Sequence, residues 1–389
     1  MNRLFPLFPL LILCAGCATV PDSAGHTGYA REATRLKLSP TITLEISPEV
    51  ELLSCVLSQT SWMDVRGPAG RGNTYYRDLR SLAAPLRDHP AVTCAERLTR
   101  LDFTYDAPPN FILRARLPDM RLIYGYSAYL IRRAGGRENL DAFRALLRDF
   151  ARESGFQDFF NRHAPDYRRW LETVKGEIAG EKITAWLNAF FGRPADEFHI
   201  ILAPAMPTQG GYGFRIETAH PPRVCQVIRE RGTSEGSPEF FKWENELNNL
   251  TIHEFSHSFV NPAVEKRERT INDRLLRLYR PVERMMRDQA YGSPLVFFIE
   301  TVVRAVTILC MDDLFYRSEP FREYRIEQEE QVGFYLVRFT METLSLYRNS
   351  RGAYRTFDEF LTLLFKSYER NAGSLLEKAG RLYAATGRR

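Results

Sequence analysis

The chain has 389 residues, of which 44% are hydrophobic and 26% charged, with a formal net charge of +5. That is enough apolar material for one large core or two intimate ones. The basic residues are dispersed among acids, which argues against a nucleic-acid partner. After the first 15 residues no stretch reads as long and apolar enough to span a bilayer.

The chain begins MNRLFPLFPLLILCAGC, with Arg3, an apolar run from Leu4 to Leu13, and the small residues Ala15 and Gly16 before Cys17. This is the order of a secretory signal. The segment resembles a bacterial lipoprotein signal, over residues 1–17, with Cys17 acylated as the mature N-terminus. The resemblance implies a lipid anchor in the cell envelope, facing the periplasm or outside, and Ala18 after the cysteine favours the outer membrane. Residues 18–38 are small and polar and read as a flexible tether. Export permits disulfides among Cys55, Cys94, Cys225 and Cys310. Cys55–Cys94 is the pairing expected, because both lie in the N-terminal helical part, and Cys310 reads as a buried thiol. No C-x-x-C occurs among these four, which argues against a cysteine zinc site.

TITLEI (41–46) alternates as a strand does. Ser47-Pro48 then reads as an N-cap with a first-turn proline, opening a helix to about residue 59. Helices are predicted at 75–87, 90–100, 139–153, 164–175 and 178–191. FHIILA (198–203), FRIET (214–218) and RVCQVIRE (223–230) read as strands, with PTQGGYG (207–213) as a loop. From residue 239 the pattern is helical again. A mostly helical region (39–195) thus precedes a region (196–389) of small sheet followed by helices, which predicts an α+β fold with a helical majority and a small mixed or antiparallel sheet.

The motif His253-Glu254-Phe255-Ser256-His257 lies in a segment without Gly or Pro, KWENELNNLTIHEFSHSFV. On a helix the i, i+4 spacing sets both imidazoles on one face, close enough to share an ion. Ile252, Phe255 and Phe259 would anchor another face in the core. Pro262 disfavours a helical Asn261, so the helix is predicted to end near residue 260. A catalytic zinc site needs a carboxylate beside its open position to take a proton from water, and Glu254 is suited to that task.

A third protein ligand is required, and no histidine follows His257. The acidic candidates are Glu265, Glu268, Asp273, Glu283 and Glu300. All but Glu300 sit in polar sequence that reads as a solvated face. Ser293-Pro294 predicts the start of a helix, PLVFFIETVVRAVTILCM, that is apolar nearly all round and therefore buried. A buried carboxylate at Glu300 needs a partner. That partner is either zinc, with Arg304 orienting the ligand, or Arg304 alone as an i, i+4 ion pair.

Together His253, His257 and the helix-borne Glu300 resemble the gluzincin metallopeptidases. HEFSHSFVNP (253–262), PEVELLSCVL (48–57), DHPAV (88–92) and GGYG (210–213) resemble one branch of bacterial proteins in that clan, over about residues 40–365. The resemblance implies a zincin-like catalytic core, one zinc ion, Glu254 as general base, and peptides or proteins as substrates. Arg304 and Asn261 would support the ligands. Substrate would add to an edge strand above the motif helix, within 198–203 or 214–218, with Gly211 and Tyr212 nearby. Tyr212 is one donor for the developing oxyanion; Tyr291, Arg304 and Tyr335 are its rivals. Two other readings stand beside the peptidase: an inactive binding lipoprotein of the same fold, and a zinc hydrolase of a non-peptide bond.

Overall fold

A computed structural model describes residues 28–62, 72–193, 197–207 and 211–383. The signal segment and Cys17 lie outside the described residues. The fold is α+β and mostly helical, as the sequence predicts. One mixed sheet contains β1 (Arg35–Ser39), β2 (Ile42–Glu45), β3 (Glu197–Ala203), β4 (Gly211–Ile216) and β5 (Arg223–Arg229), in the spatial order β1-β2-β3-β5-β4. The three inner strands are parallel, and β1 and β4 are antiparallel edges. Strands from before residue 196 and from after it therefore share one sheet.

Register and alternation set one face of this sheet. Ile42, Phe198 and Val224 are paired across the strands, as are Leu44, Ile200 and Gln226, and both rows face the same side. The motif helix, Glu246–Glu265, packs there, with the Phe198 and Phe255 rings 5.0 Å apart. Ile252 and Phe255 are fully buried, each contributing about 1.5–3 kcal/mol of apolar transfer. Phe259 stacks on Phe191 at 4.5 Å. The apolar helix, Pro294–Met311, also packs against the motif helix.

Local signals work as expected at two helix starts. Ser47 Oγ accepts from the Val50 amide and Ser293 Oγ from the Val296 amide, each followed by a proline, which has no N–H in want of an acceptor. The predicted helices appear as Pro48–Leu57, Thr74–Ala83, Pro90–Arg100, Arg137–Glu153, Ala164–Lys175 and Gly180–Phe191.

Long-range packing corrects five expectations. The motif helix passes through Pro262 to Glu265. The proline forfeits one backbone bond, but Ala263 and Val264 are buried beyond it and hold the last turn in the core. Residues 211–213, read as loop, begin β4, because pairing with β5 supplies the ladder that glycine-rich sequence does not advertise. Residues 28–38, read as tether, are docked: Asn161 bonds Gly28 and Ala30, Tyr29 packs on Phe160, and β1 pairs with β2. Cys55 and Cys94 are both free. Cys55 Sγ faces the Leu79 carbonyl and Cys94 Sγ the Arg97 guanidinium, so neither thiol faces the other; Cys225 and Cys310 are also free and buried. Finally, Pro294–Tyr316 is long and apolar enough to cross a membrane, with a mean hydropathy of 1.9, though 78% of its apolar window is buried among the other helices.

Candidate metal centre

The motif helix brings His253 and His257 one turn apart on the same face, with their Nε2 atoms 3.3 Å from each other. Glu300 reaches them from the apolar helix. Its Oε1 lies 3.5 Å from His257 Nε2 and its Oε2 3.8 Å from His253 Nε2. Among the described residues this is the one cluster of three His, Cys, Asp or Glu side chains able to hold a metal ion. Glu265, Glu268, Asp273 and Glu283 are not part of it.

The donor set fits a divalent metal. Two nitrogens at about 2.0–2.1 Å from one tetrahedral ion lie about 3.3 Å apart, which matches the separation of the two Nε2 atoms. Burial, then the neighbouring His257, Arg304 and Arg325, hold the His253 imidazole well below its usual value, so it is neutral and offers a lone pair. His257 Nδ1 is 3.0 Å from Asn261 Oδ1. Donation of that N–H leaves Nε2 as the free lone pair facing the cluster. Glu300 Oε2 is buried and makes no hydrogen bond, an orphan that a cation would satisfy.

Glu254 projects beside this cluster and is 6% exposed. Burial pushes its carboxyl up to about 7; His257 counters this, Glu300 adds to it, and the Gly213 amide donates a hydrogen bond to the carboxylate. The edge strand makes that contact possible. A Cβ at Gly211 would come within 3.0 Å of Glu254 Oε1, and one at Gly213 within 1.7 Å of the Glu254 carbonyl oxygen. Only glycine lets β4 approach the helix this closely. Alternation turns Tyr212, between the two glycines, to the opposite face of the sheet.

Residues 42–366 match a family model described as a domain of unknown function, DUF4932. The chain belongs to that family. No curated protein and no solved structure matches it. The span shared with the DUF4932 family contains both histidines, Glu254, Glu300, Asn261 and the glycines of β4.

The remaining predicted residues separate clearly. Arg304 donates through Nη2 to Tyr291 Oη at 3.1 Å and through Nη1 to Glu329 Oε2 at 2.7 Å, and its Nη2 is 3.4 Å from Glu300 Oε2. Burial alone would lower the Arg304 guanidinium, but Glu300 and Glu329 raise it and keep it charged. Tyr291 stands beside the site carboxylates: the charge of Glu300, then burial, pushes its hydroxyl up to about 12. Tyr335 donates instead to the Leu278 carbonyl at 2.6 Å and is wholly buried. Of the two strands suggested for substrate, β3 is central and β4 is an edge.

Sequence reasoning missed Glu329, Asp106 and the role of Gly213. Glu329 lies in the acidic run EQEEQ, which reads as a solvated face. Asp106, bonded by Tyr129 Oη at 2.7 Å, is near enough to feel the charges of His257 and Glu254. Nothing in its sequence context signals this. Gly213 belongs to GGYG, whose pattern signals a tight backbone but not its partner.

Proposed function

We propose that the protein is a zinc-dependent peptidase with a zincin-like core, acting on peptides or proteins at the cell envelope and lipid-anchored through Cys17. The single observation that carries the reading is a buried proton acceptor, Glu254, beside two histidine nitrogens 3.3 Å apart and a carboxylate oxygen without a hydrogen bond. A structural metal site has no use for such an acceptor.

His253, His257 and Glu300 would hold the ion. When bound, zinc lowers the pKa of water to about 7 and polarises a carbonyl. Glu254 takes a proton from the attacking water at its carboxylate and returns it to the nitrogen of the leaving amine. Tyr291, fixed by Arg304, donates its hydroxyl to the developing oxyanion. An extended substrate adds its backbone to β4, the edge strand whose Gly211 and Gly213 lie against Glu254.

The test is metal content and cleavage of a mixed peptide library. The unsubstituted protein should carry about one zinc per chain and cut peptides. Glu254→Gln should keep the zinc and lose the cutting. A zinc-loaded protein that cleaves no peptide would remove the peptidase reading.

A further inference from the structure

Arg304 is four residues from Glu300 on one buried helix, the spacing at which a guanidinium and a carboxylate pair directly. In a dry environment that pairing is normally bidentate and charge-assisted. Such a pair would fill the lone pairs that Glu300 needs for a metal. Here the two side chains make only a long, single-atom ion pair, not the bidentate hydrogen-bonded one. Arg304 Nη2 comes to 3.4 Å of Glu300 Oε2, yet that oxygen makes no hydrogen bond.

The guanidinium is engaged elsewhere. Its Nη1 donates to Glu329 Oε2 at 2.7 Å, its Nη2 donates to Tyr291 Oη at 3.1 Å, and its carbon sits 4.0 Å from the centroid of the Phe334 ring. Glu329 is 8% exposed and reaches in from a separate helix, Glu319–Gln331. Arg325, one turn back on that helix, steadies its other oxygen at 3.6 Å. The short bond goes to the distant carboxylate and the long approach to the near one.

We infer that Glu329 is a positioning residue that holds Arg304 off Glu300 and so keeps the Glu300 oxygen free for a metal ion. Arg304 stays close enough to neutralise the site without occupying it. The inference rests on the zinc reading above and concerns metal affinity, so it needs no assay of turnover.

The experiment is zinc affinity, measured by competition with a chromophoric chelator, in the full chain and its variants, with folding checked by circular dichroism. Glu329→Ala frees Arg304 to pair with Glu300 and should weaken zinc binding about tenfold to a hundredfold. Glu329→Gln keeps the volume and one acceptor, stays folded if the alanine variant does not, and should show a smaller loss in the same direction. In an Arg304→Met background, Glu329→Ala should change the affinity less than about twofold, because the group it restrains is gone. An equal loss with and without Arg304 would overturn the inference, as would unchanged affinity in both Glu329 variants while the unsubstituted protein binds zinc normally. If the unsubstituted protein binds no zinc, the metal reading falls and this inference falls with it.

Discussion

The carbonyl oxygen of Glu254 occupies the space where a side chain at Gly213 would begin: a Cβ there would lie 1.7 Å from it. Strand and helix backbones touch at the residue that carries the proposed chemistry. The Gly213 amide reaches the Glu254 carboxylate only because this approach is so close.

Gly213→Ala must therefore push β4 off the motif helix. Overpacking of a well-packed contact costs about 1–3 kcal/mol, and backbone-to-backbone contact places this one at the upper end. Thermal unfolding should show a midpoint several degrees lower. An unchanged midpoint would mean that β4 does not lie where it is described. Metal content should survive in whatever remains folded, since no ligand is on β4.

Loss of Glu300 should remove the metal and spare the fold. Glu300→Ala leaves two imidazoles, too few for a tight zinc site. Metal analysis after dialysis should find it empty. Chelation of the unsubstituted protein should lower its unfolding midpoint, since a ligand at 1,000 times its Kd stabilises by about 4 kcal/mol. The same treatment should leave Glu300→Ala unmoved. Retention of zinc by that variant would assign the third ligand elsewhere.

A buried acid pair, Glu51 and Glu230, sets a pH dependence. Burial pushes Glu51 up to about 8, its two carboxylate oxygens without hydrogen-bond partners; the nearby Tyr75 hydroxyl and Ala205 amide oppose the shift only in part, and Glu230 adds to it. Burial likewise pushes Glu230 up to about 7 despite the Asn73 amide. Both folded values exceed the unfolded carboxylate value of 4.5. The folded state then holds protons that the unfolded state has released. Stability is full below 4.5 and is lost as pH rises through about 7 to 8, a loss on the order of a few kcal/mol. Urea unfolding at pH 5 and pH 8 should show this fall, and Glu51→Gln should flatten it. A stability that rises over the same interval would contradict the burial of these groups.

Cys55, Cys94, Cys225 and Cys310 are free and buried. Burial pushes the Cys225 thiol up to about 12, and the other three are raised as well. Thiolate reagents should find none of the four in the native protein and all four after unfolding without reductant. A count lower by two in the unfolded protein would reveal a disulfide.

The histidine pair was legible in the sequence because helical periodicity is local. Five consecutive residues and a helical context place His253 and His257 on one face wherever the helix packs. Glu300 was legible for a related reason: a lone carboxylate in an apolar helix demands a partner. Capping at Ser47 and Ser293, the helix starts they mark and the α+β character rest on signals within a few residues, and these the amino-acid order determines by itself. Tertiary structure alone decided the rest. Glu329 lies 25 residues from Arg304 and 29 from Glu300, and no periodicity links different helices. The continuation of the motif helix past Pro262 is held by burial of Ala263 and Val264. The start of β4 at Gly211 depends on β5, and the separation of Cys55 from Cys94 on how their helices are packed. Each is a contest between a weak local preference and the burial of many atoms, and burial wins when the core closes around it.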